Sequence, residues 1–448
     1  MQLDLTKGSV TKGMLMFALP MICSNLLQQL YNIVDTLIVG RFIGTGALAA
    51  VGSAYTLMTF IISILLGMCM GSGAIFSIRF GEKRWAHLRA NIFTSFVMIA
   101  FFSAVLNILS FVMIDAIMRF ISVPDEVYSL MREYLLVVFC GIFASFLYNF
   151  FASLLRAVGN SMMPLVFLGV SAVLNIALDL VFVLGFDMGV GGAALATVIS
   201  QWIAGAGMVL YTLVKCPELR PQRKDMKITA AGLGEITGAS VLTCLQQSVM
   251  NLGILMVQGL VNSFGTAVMA AFAAAVKIDA FAYMPLQDFG NAFSTFTAQN
   301  YGARKEERIR KGIRSALCSM LIFSAVISTC VLIFAKPLLM IFIRGSETEI
   351  LSIGVTYLHV VGAFYFGIGG LFMLYGLYRA LNRPGMSLVL TVISLGSRVY
   401  LAYMLSALPA VGLIGIWWAV PIGWILADTT GVIYYLKIKK SVHQETLV

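Results

Sequence analysis

Charged residues are scarce in this sequence: Asp, Glu, Lys and Arg together make up 11% of its 448 residues. A soluble domain carries roughly a quarter of such residues. Hydrophobic residues make up 60% of the chain, and the mean hydropathy is +0.94. The strict apolar–polar alternation of barrel strands is also missing, while the apolar runs are long enough for spanning helices of ~20 residues. These absences exclude a soluble domain and predict an all-α integral membrane protein.

Signatures of common catalytic and metal sites are missing as well. The seven cysteines form no C-x-x-C pair, and there are only three histidines. The sequence contains no H-E-x-x-H zinc motif, no phosphate-binding P-loop and no D-x-x-x-D pair for Mg²⁺. We therefore predict a protein that is not an enzyme and has no cofactor. A polytopic membrane enzyme, such as a prenyltransferase, is the weakest alternative.

Basic residues are distributed unevenly between the connections of the predicted spans. The twelve spans are residues 14–40, 51–79, 91–114, 130–155, 164–186, 190–214, 233–262, 267–298, 313–335, 352–378, 386–408 and 411–436. With the N-terminus in the cytoplasm, 23 of the 30 Lys and Arg residues lie in inner connections and five in outer ones. Because cytoplasmic loops are enriched in Lys and Arg, this asymmetry predicts that both termini are cytoplasmic. The formal charge of +10 then reflects membrane topology, and we expect no nucleic-acid partner.

The sequence contains an internal repeat. "FIGTGALAAVG" at Phe42 matches "SFGTAVMAAFA" at Ser263, and one constant shift also relates "FGEKR" to "YGARK". In the later part of each half, "LRAVGNSMMPL" at Leu155 matches "YRALNRPGMSL" at Tyr378. The offset from Leu155 to Tyr378, which is called the repeat shift below, also relates "GVGGAALA" to "GLIGIWWA". A repeat of six spans returns the chain to the same side, so the two halves are parallel repeats. We predict an N-lobe at 1–214, a cytoplasmic linker at 215–232, and a C-lobe at 233–448 that ends in a short cytoplasmic tail.

These segments resemble the multidrug and toxic compound extrusion (MATE) family. The resemblance includes the opening "ALPMICSNLLQQLYNIVDTLIVGRFIGTGALAAVG", the "FGEKR" and "YGARK" loops, and the pair "LLRAVGN" and "LYRALNRP". It extends over nearly the whole chain, in both halves. It implies a prokaryotic transporter of twelve transmembrane helices in two six-helix lobes.

Two carboxylates, an amide and a hydroxyl lie at similar depth in three spans of the N-lobe. At 1.5 Å per residue, Asp35, Asp179 and Thr197 are ~8 to 10 Å below the outer helix ends. Asn175 lies one turn deeper on the same face as Asp179. Intramembrane acids are usually functional, and these oxygen atoms suit H⁺ or Na⁺. The family resemblance implies the same role, because a prokaryotic subgroup uses Asp, Asn, Asp and Thr at matching positions. The alternative is that both acids are neutral and only fix helix packing.

The second half lacks a matching oxygen cluster. The repeat shift relates Asn175, Asp179 and Thr197 to Arg398, Ala402 and Val420, in that order. The predicted cation-coupling site therefore belongs to the N-lobe alone. Asp279, with Lys277 or Arg398, forms either a buried charge pair in the C-lobe or a second cation site; we favour the pair, since unpaired charges in lipid are expensive.

Other polar residues share helix faces and predict a substrate cavity. Spacings of three and four residues place them on common faces of spans 1, 7 and 8, with one further amide on span 4. These residues are Gln28, Tyr31, Asn32, Asn149, Gln247, Asn251, Tyr283 and Gln287. The chain also has 25 Met and 31 Phe, and Met permits repacking around varied ligands. Interhelical hydrogen bonding is the alternative for each amide.

The sequence thus predicts an ion-coupled antiporter. It would export organic cations and drugs by rocker-type alternating access, with H⁺ or Na⁺ as the coupling ion and no metal beyond Na⁺. We expect a monomer in the prokaryotic cytoplasmic membrane. The alternative within the same superfamily is a flippase for lipid-linked precursors, which would need a broadly cationic cavity. A channel would leave the repeated two-lobe plan unexplained.

Overall fold

The structure is a computed structural model that describes residues 3–121 and 123–445. This part of the chain contains fifteen α-helices, and most connections between them are short. The helices are α1 (Val10–Ile38), α2 (Thr45–Gly81), α3 (Trp85–Val112), α4 (Ile114–Phe120), α5 (Asp125–Phe139), α6 (Ile142–Ala157), α7 (Met162–Asp179), α8 (Gly189–Lys215), α9 (Ala230–Asn262), α10 (Thr266–Gly302), α11 (Glu306–Leu339), α12 (Thr348–Gly362), α13 (Tyr365–Ala380), α14 (Pro384–Ser406) and α15 (Leu413–Glu445). Residues 437–445 of the predicted tail belong to α15, and residues 446–448 lie outside the described residues.

The described helices account for all twelve predicted spans. Ten helical segments are long and apolar enough to cross a membrane individually. Two further spans are bent pairs: α5 meets α6 at 46°, and α12 meets α13 at 50°. Counting each pair once gives twelve spans, which confirms the predicted all-α fold of twelve transmembrane helices.

The backbone repeats the internal symmetry of the sequence. The break between α5 and α6 follows Phe139, and the break between α12 and α13 follows Gly362, which is the position that the repeat shift assigns to Phe139. Four pairs of residues with positive φ are related by the shifts found in the sequence. The pairs are Gly44 and Gly265, Lys83 and Arg304, Gly159 and Asn382, and Gly189 and Gly412. Because L-residues rarely adopt positive φ, this coincidence is independent support for the parallel repeat.

The folded chain divides into two compact units. Unit 1 contains Leu19–Cys244, the N-terminal piece up to Leu5, and Gly302–Arg304. Unit 2 contains Thr6–Ala18, Leu245–Tyr301 and the chain from Lys305 onward. Helices α1 and α9 therefore each begin in one unit and end in the other. The predicted lobe limits at 214 and 233 stay a prediction, although α8 ends at Lys215 and α9 begins at Ala230.

Ion pairs within unit 1 hold the beginning of α9 and the linker that leads to it. Arg79 donates to both carboxylate oxygens of Glu235, at 2.7 and 2.8 Å, and to both oxygens of Glu82, at 3.0 and 3.2 Å. Arg89 Nε donates to Asp225 Oδ2 at 2.6 Å. Hydrogen bonds between Arg and a carboxylate are charge-assisted and roughly twice as strong as neutral ones. They tie α9 and the linker to the ends of α2 and α3.

The linker carboxylate Asp225 is electrostatically stabilised. Its burial acts to raise its pKa, but the hydrogen bonds from Arg89 and the backbone N–H of Gln222 outweigh that effect. The pKa of Asp225 is therefore lower than usual, and the charged form is favoured. The linker is held by a charge that persists at neutral pH.

Unit 2 holds the segment that precedes α1 in an equivalent way. Lys305 Nζ donates to the carbonyl oxygen of Thr6 at 2.8 Å. Arg308 donates to the carbonyl oxygens of Lys7 and Gly8, at 2.6 and 2.8 Å. The segment before α1 and the linker before α9 are thus both fixed by basic residues at the ends of spans 2, 3 and 9.

We expect Glu235→Gln to lower the stability of the protein by about 1 to 2 kcal/mol, because a charge-assisted hydrogen-bond pair is lost. Arg79 and Glu235 are 19% and 26% exposed, so solvent screening is limited. The matched control is Glu306→Gln, whose carboxylate is 73% exposed and lies 3.9 Å from Arg310; its effect should be close to zero. Melting temperatures of both purified variants in detergent would test this prediction. Equal losses in the two variants would contradict it.

Candidate functional site

Asp35 lies near the end of α1, and Asn175 and Asp179 lie on α7. Asn175 and Asp179 are one helical turn apart and are 2% and 0% exposed, whereas Asp35 is half-buried. After each acid the backbone becomes π-helical, at Val39–Ile43 and at Leu180–Gly185. Such π segments within helical spans are frequent at functional sites. Both predicted acids therefore lie at irregular points of otherwise regular helices.

The carboxyl groups of Asp35 and Asp179 lie within hydrogen-bonding reach of one another. Among the described residues, neither oxygen of Asp179 has a hydrogen-bond donor, and Oδ1 of Asp35 also lacks one. Two ionised carboxylates are acceptors only, so without a donor they repel each other. A shared proton or a bound cation would remove this repulsion. The structure thus brings together the two acids on which the predicted coupling site depends.

Helix α8 completes this oxygen cluster. Ser171 Oγ donates to the carbonyl oxygen of Ser200 at 3.0 Å, which fixes α7 against α8. One turn further along α7, Asn175 Nδ2 donates to Thr197 Oγ1 at 3.4 Å. This leaves Oδ1 of Asn175 buried and without a donor in the described chain. Carboxylate, amide and hydroxyl oxygens are hard ligands, so the cluster suits H⁺ or Na⁺.

Two tyrosines border the carboxyl pair. Tyr31, predicted as a cavity residue, is close enough to the side chains of Asp35 and Gln28 to interact with both. Tyr134 on α5 interacts with Asp35, Asp179 and Tyr31, and it is 6% exposed. Tyr134 is not among the residues predicted from the sequence. The internal repeat could have indicated Tyr134, because the repeat shift relates it to Tyr357, so both halves have a tyrosine at this position.

The other predicted cavity residues of unit 1 have different environments. Gln28 is exposed, and Asn32 donates to the hydroxyl of Tyr55 at 3.4 Å. Asn149 on α6 donates to the carbonyl oxygen of Ser145 in its own helix at 2.8 Å. This bond lies within α6, so it is not the interhelical bond of the alternative, and it engages the amide nitrogen of Asn149. The amides of α1 remain the better candidates for contact with a ligand.

The predicted cavity residues of unit 2 lie on α9 and α10. Gln247 is 9% exposed, and Asn251, Tyr283 and Gln287 are half-buried. The ring of Tyr283 packs against Phe372 with ring centroids 6.2 Å apart. A single cavity formed by residues of both units stays a prediction.

The three residues predicted for the C-lobe charge pair lie in two environments. Asp279 is 8% exposed, accepts a hydrogen bond from Tyr357 at 3.3 Å, and interacts with Tyr365 and Arg398. Lys277 is exposed instead, and its Nζ lies over the ring of Phe342, 5.6 Å from the centroid. Of the two basic residues considered for the pair, Arg398 is the one whose charge acts on Asp279.

The comparisons with known proteins agree with this architecture. The MatE sequence profile matches residues 20–181 and 239–404, one match in each half. The chain belongs to the MatE family. It is 29% identical over 393 residues to the probable multidrug resistance protein YpnP of Bacillus subtilis, with 87% of each chain covered. It is 24% identical over 435 residues to the probable multidrug resistance protein NorM of Thermotoga maritima, covering 96% of this chain and 93% of that protein.

Solved structures share the fold of this MatE protein. A crystal structure of MATE in the bent conformation matches with a TM-score of 0.93 at 22% identity, over 100% of this chain and 99% of that chain. A MOP superfamily transporter from Pyrococcus furiosus matches with a TM-score of 0.92 at 22% identity, over 98% of each chain. The predicted family is therefore confirmed. The chain is a multi-span membrane protein of a family of transporters, not an enzyme.

Proposed function

We propose that this MatE protein is an antiporter that exports small organic cations in exchange for H⁺ or Na⁺. The observation that carries the proposal is the pair of facing carboxyl groups, Asp35 and Asp179, which have no donor among the described residues. Both relatives named above are probable multidrug resistance proteins, which supports drugs and other xenobiotics as substrates. No cofactor is required.

The proposed coupling depends on charge balance at the carboxyl pair. When the pair holds H⁺ or Na⁺, its mutual repulsion is removed, and α1 and α7 can approach each other. When the cation leaves, the repulsion returns and a different arrangement of these helices is favoured. A cation can shift a conformational equilibrium only by its differential affinity for the two states. The site meets this requirement because the distance between the two carboxyl groups determines that affinity.

The remaining elements of the proposal follow from this cycle. The cation and the organic substrate would use inward- and outward-open states in turn, in a rocker-type motion. The polar residues of α1, α9 and α10 would contact the substrate. The protein would act as a monomer in the prokaryotic cytoplasmic membrane, with both termini in the cytoplasm.

The charges of unit 2 favour this exporter over a flippase for lipid-linked precursors. A flippase must hold phosphates, which requires unpaired positive charge. The charge of Arg398 interacts with the carboxylate of Asp279, and the exposed ammonium of Lys277 lies over an aromatic ring. Neither provides a broadly cationic cavity.

Transport by purified protein in proteoliposomes would test the proposal. Accumulation of ethidium would be measured under an imposed pH gradient and, separately, under a Na⁺ gradient, without ATP. We expect one gradient to drive accumulation and its collapse by an ionophore to stop it. Transport that requires ATP, or that ignores both gradients, would overturn the proposal. Movement of a fluorescent polyprenyl phosphate without ethidium transport would favour the flippase.

A further inference from the structure

The internal repeat relates the carboxyl pair of unit 1 to a specific place in unit 2. The repeat shift places Asn175 on Arg398 and Tyr134 on Tyr357. The register is correct in this region, because the breaks before α6 and α13 are related by the same shift. Helix α14 is thus the counterpart of α7. Arg398 occupies the position that holds the uncharged amide of the coupling site in unit 1.

The two tyrosines related by the repeat have different neighbours. Tyr134 interacts with Asp35 and Asp179. Tyr357 donates to Asp279 Oδ2 at 3.3 Å and also interacts with Arg398. Tyr134 is thus near two carboxyl groups in unit 1, whereas Tyr357 is near one carboxyl group and within electrostatic range of one guanidinium in unit 2. Nε of Arg398 and Oδ1 of Asp279 have no hydrogen-bond partner among the described residues, so the two charges act on each other without a direct hydrogen bond.

This difference matters because charges buried in a membrane protein must be neutralised. Within the described residues, no Lys or Arg acts on either carboxyl of unit 1, so neutrality there requires a cation from solution. In unit 2 the guanidinium of Arg398 is available permanently, since arginine stays protonated in proteins. Tyr357 and Tyr365 interact with Asp279, and Tyr357 lies near both charges. Lys277 lies elsewhere, over Phe342.

We infer that Arg398 is a built-in cation, which fills the unit 2 counterpart of the coupling site and restricts coupling to unit 1. Part of this inference, the restriction of coupling, rests on the proposed function; the effect of Arg398 on Asp279 does not. Its consequence is that removal of the guanidinium should create a new site for H⁺ or Na⁺. The groups that would face the incoming cation are Asp279, Tyr357, Tyr365 and Tyr283.

The test uses the full chain with the unit 1 site disabled by Asp35→Asn and Asp179→Asn. In this background, the melting temperature in detergent would be measured against Na⁺ concentration and, separately, against pH between 5 and 8. We expect no Na⁺ dependence, and only the pH dependence that comes from the remaining buried carboxyl groups, such as Asp428, whose Oδ1 has no hydrogen-bond partner among the described residues. Adding Arg398→Asn should create a clear rise in melting temperature with Na⁺ or with acid, because a ligand that binds only the native state stabilises it. Adding Asp279→Asn to that variant should abolish the rise.

Two results would overturn the inference: an Arg398→Asn variant that ignores both cations, or a cation response that persists after Asp279→Asn. Arg398→Asn alone leaves a buried carboxylate unpaired and can prevent folding. The neutral double variant Asp279→Asn/Arg398→Asn, in the otherwise unchanged chain, covers this case. It should fold and retain gradient-driven export, because the inference gives Asp279 and Arg398 no part in ion exchange in the wild-type protein. A loss of gradient-driven export of the size expected for a coupling residue, about five- to 150-fold, would show that the pair takes part in coupling and would contradict the inference.

Failure of the proposed function would instead appear as wild-type transport without any gradient dependence.

Discussion

Replacing Asp35 with asparagine is expected to reduce gradient-driven export strongly while leaving a folded protein. Asparagine has nearly the same shape as aspartate but cannot bind H⁺, and it binds Na⁺ weakly. The partner carboxyl group, Asp179, would then have no acidic neighbour, and the repulsion that makes the pair sensitive to a cation disappears. Coupling free energies between sites are about 1 to 3 kcal/mol, so the transport rate should fall about five- to 150-fold. The rate of ethidium accumulation in proteoliposomes, at matched protein content, would measure the effect.

The control for this prediction is Asp125→Asn, an acid-to-amide change at the exposed first residue of α5. It should transport at the wild-type rate. The double variant of Asp35 and Asp179 gives a sharper result. Residues that act as a unit show strongly non-additive effects, so the double variant should lose no more activity than either single variant. Wild-type export by Asp35→Asn, or a double loss equal to the product of the single losses, would contradict a shared site.

The spans and the repeat could be predicted from the sequence because hydropathy and segment similarity are properties of contiguous residues. The predicted spans differ from the observed helices mainly at their ends, where helices continue beyond the hydrophobic stretch. The bends between α5 and α6 and between α12 and α13 could not be predicted. They occur at Cys140–Gly141 and at Ala363–Phe364 without a proline. A glycine lies at each break, Gly141 and Gly362, but glycine is frequent in membrane helices and does not by itself indicate an interruption. The π segments after α1 and α7 have no composition that distinguishes them from regular helix.

The candidate site was predictable where depth and helical period determine position. These two quantities identified Asp35, Asn175, Asp179 and Thr197, and the structure places all four in unit 1 with the contacts described above. Tyr134 could not be predicted from the sequence by depth and helical period, because a tyrosine on the buried face of an amphipathic helix has the same pattern as an ordinary packing residue. Only tertiary contact distinguishes the two roles.

The charge pair of unit 2 illustrates a related limit. Lys277 and Arg398 were equivalent candidates as partners of Asp279, because sequence spacing does not define contacts between distant helices. In the folded chain Lys277 extends over Phe342, while Arg398 on α14 is brought near Asp279 on α10. Long basic side chains can direct their charge away from the helix face that their position indicates.

The contact between α2 and α9 leads to the second prediction with a large effect. Gly67 and Gly71 form a G-x-x-x-G motif on α2, a pattern that allows two membrane helices to approach closely. A Cβ atom at Gly71 would collide with the carbonyl group of Ala239, with 2.7 Å to its carbon atom. A Cβ atom at Gly67 would lie 2.6 Å from the Cα atom of Cys244. Both clashes are with backbone, which cannot rotate away as a side chain can.

We therefore expect Gly71→Ala to lower the stability by about 2 to 3 kcal/mol, the upper part of the range for overpacking. The change forces α2 and α9 apart and also weakens the buried hydrogen bond between the hydroxyls of Ser72 and Ser240, 2.9 Å apart. The melting temperature of the purified variant in detergent would measure the loss. Gly52→Ala is the matched control on the same helix, because a Cβ there meets no atom within 4 Å. It should be neutral or stabilising by less than about 1 kcal/mol, as expected for glycine-to-alanine changes in helices.

The comparison also separates packing from helix propensity. If propensity determined the result, both alanine variants would be more stable than the wild type. If the close approach of the backbones determines it, the two variants differ in sign. Gly67→Ala should resemble Gly71→Ala, since the two glycines lie one turn apart on the same face. A stable Gly71→Ala protein would mean that α9 is not held against α2 in this way, although residues up to Cys244 group with unit 1.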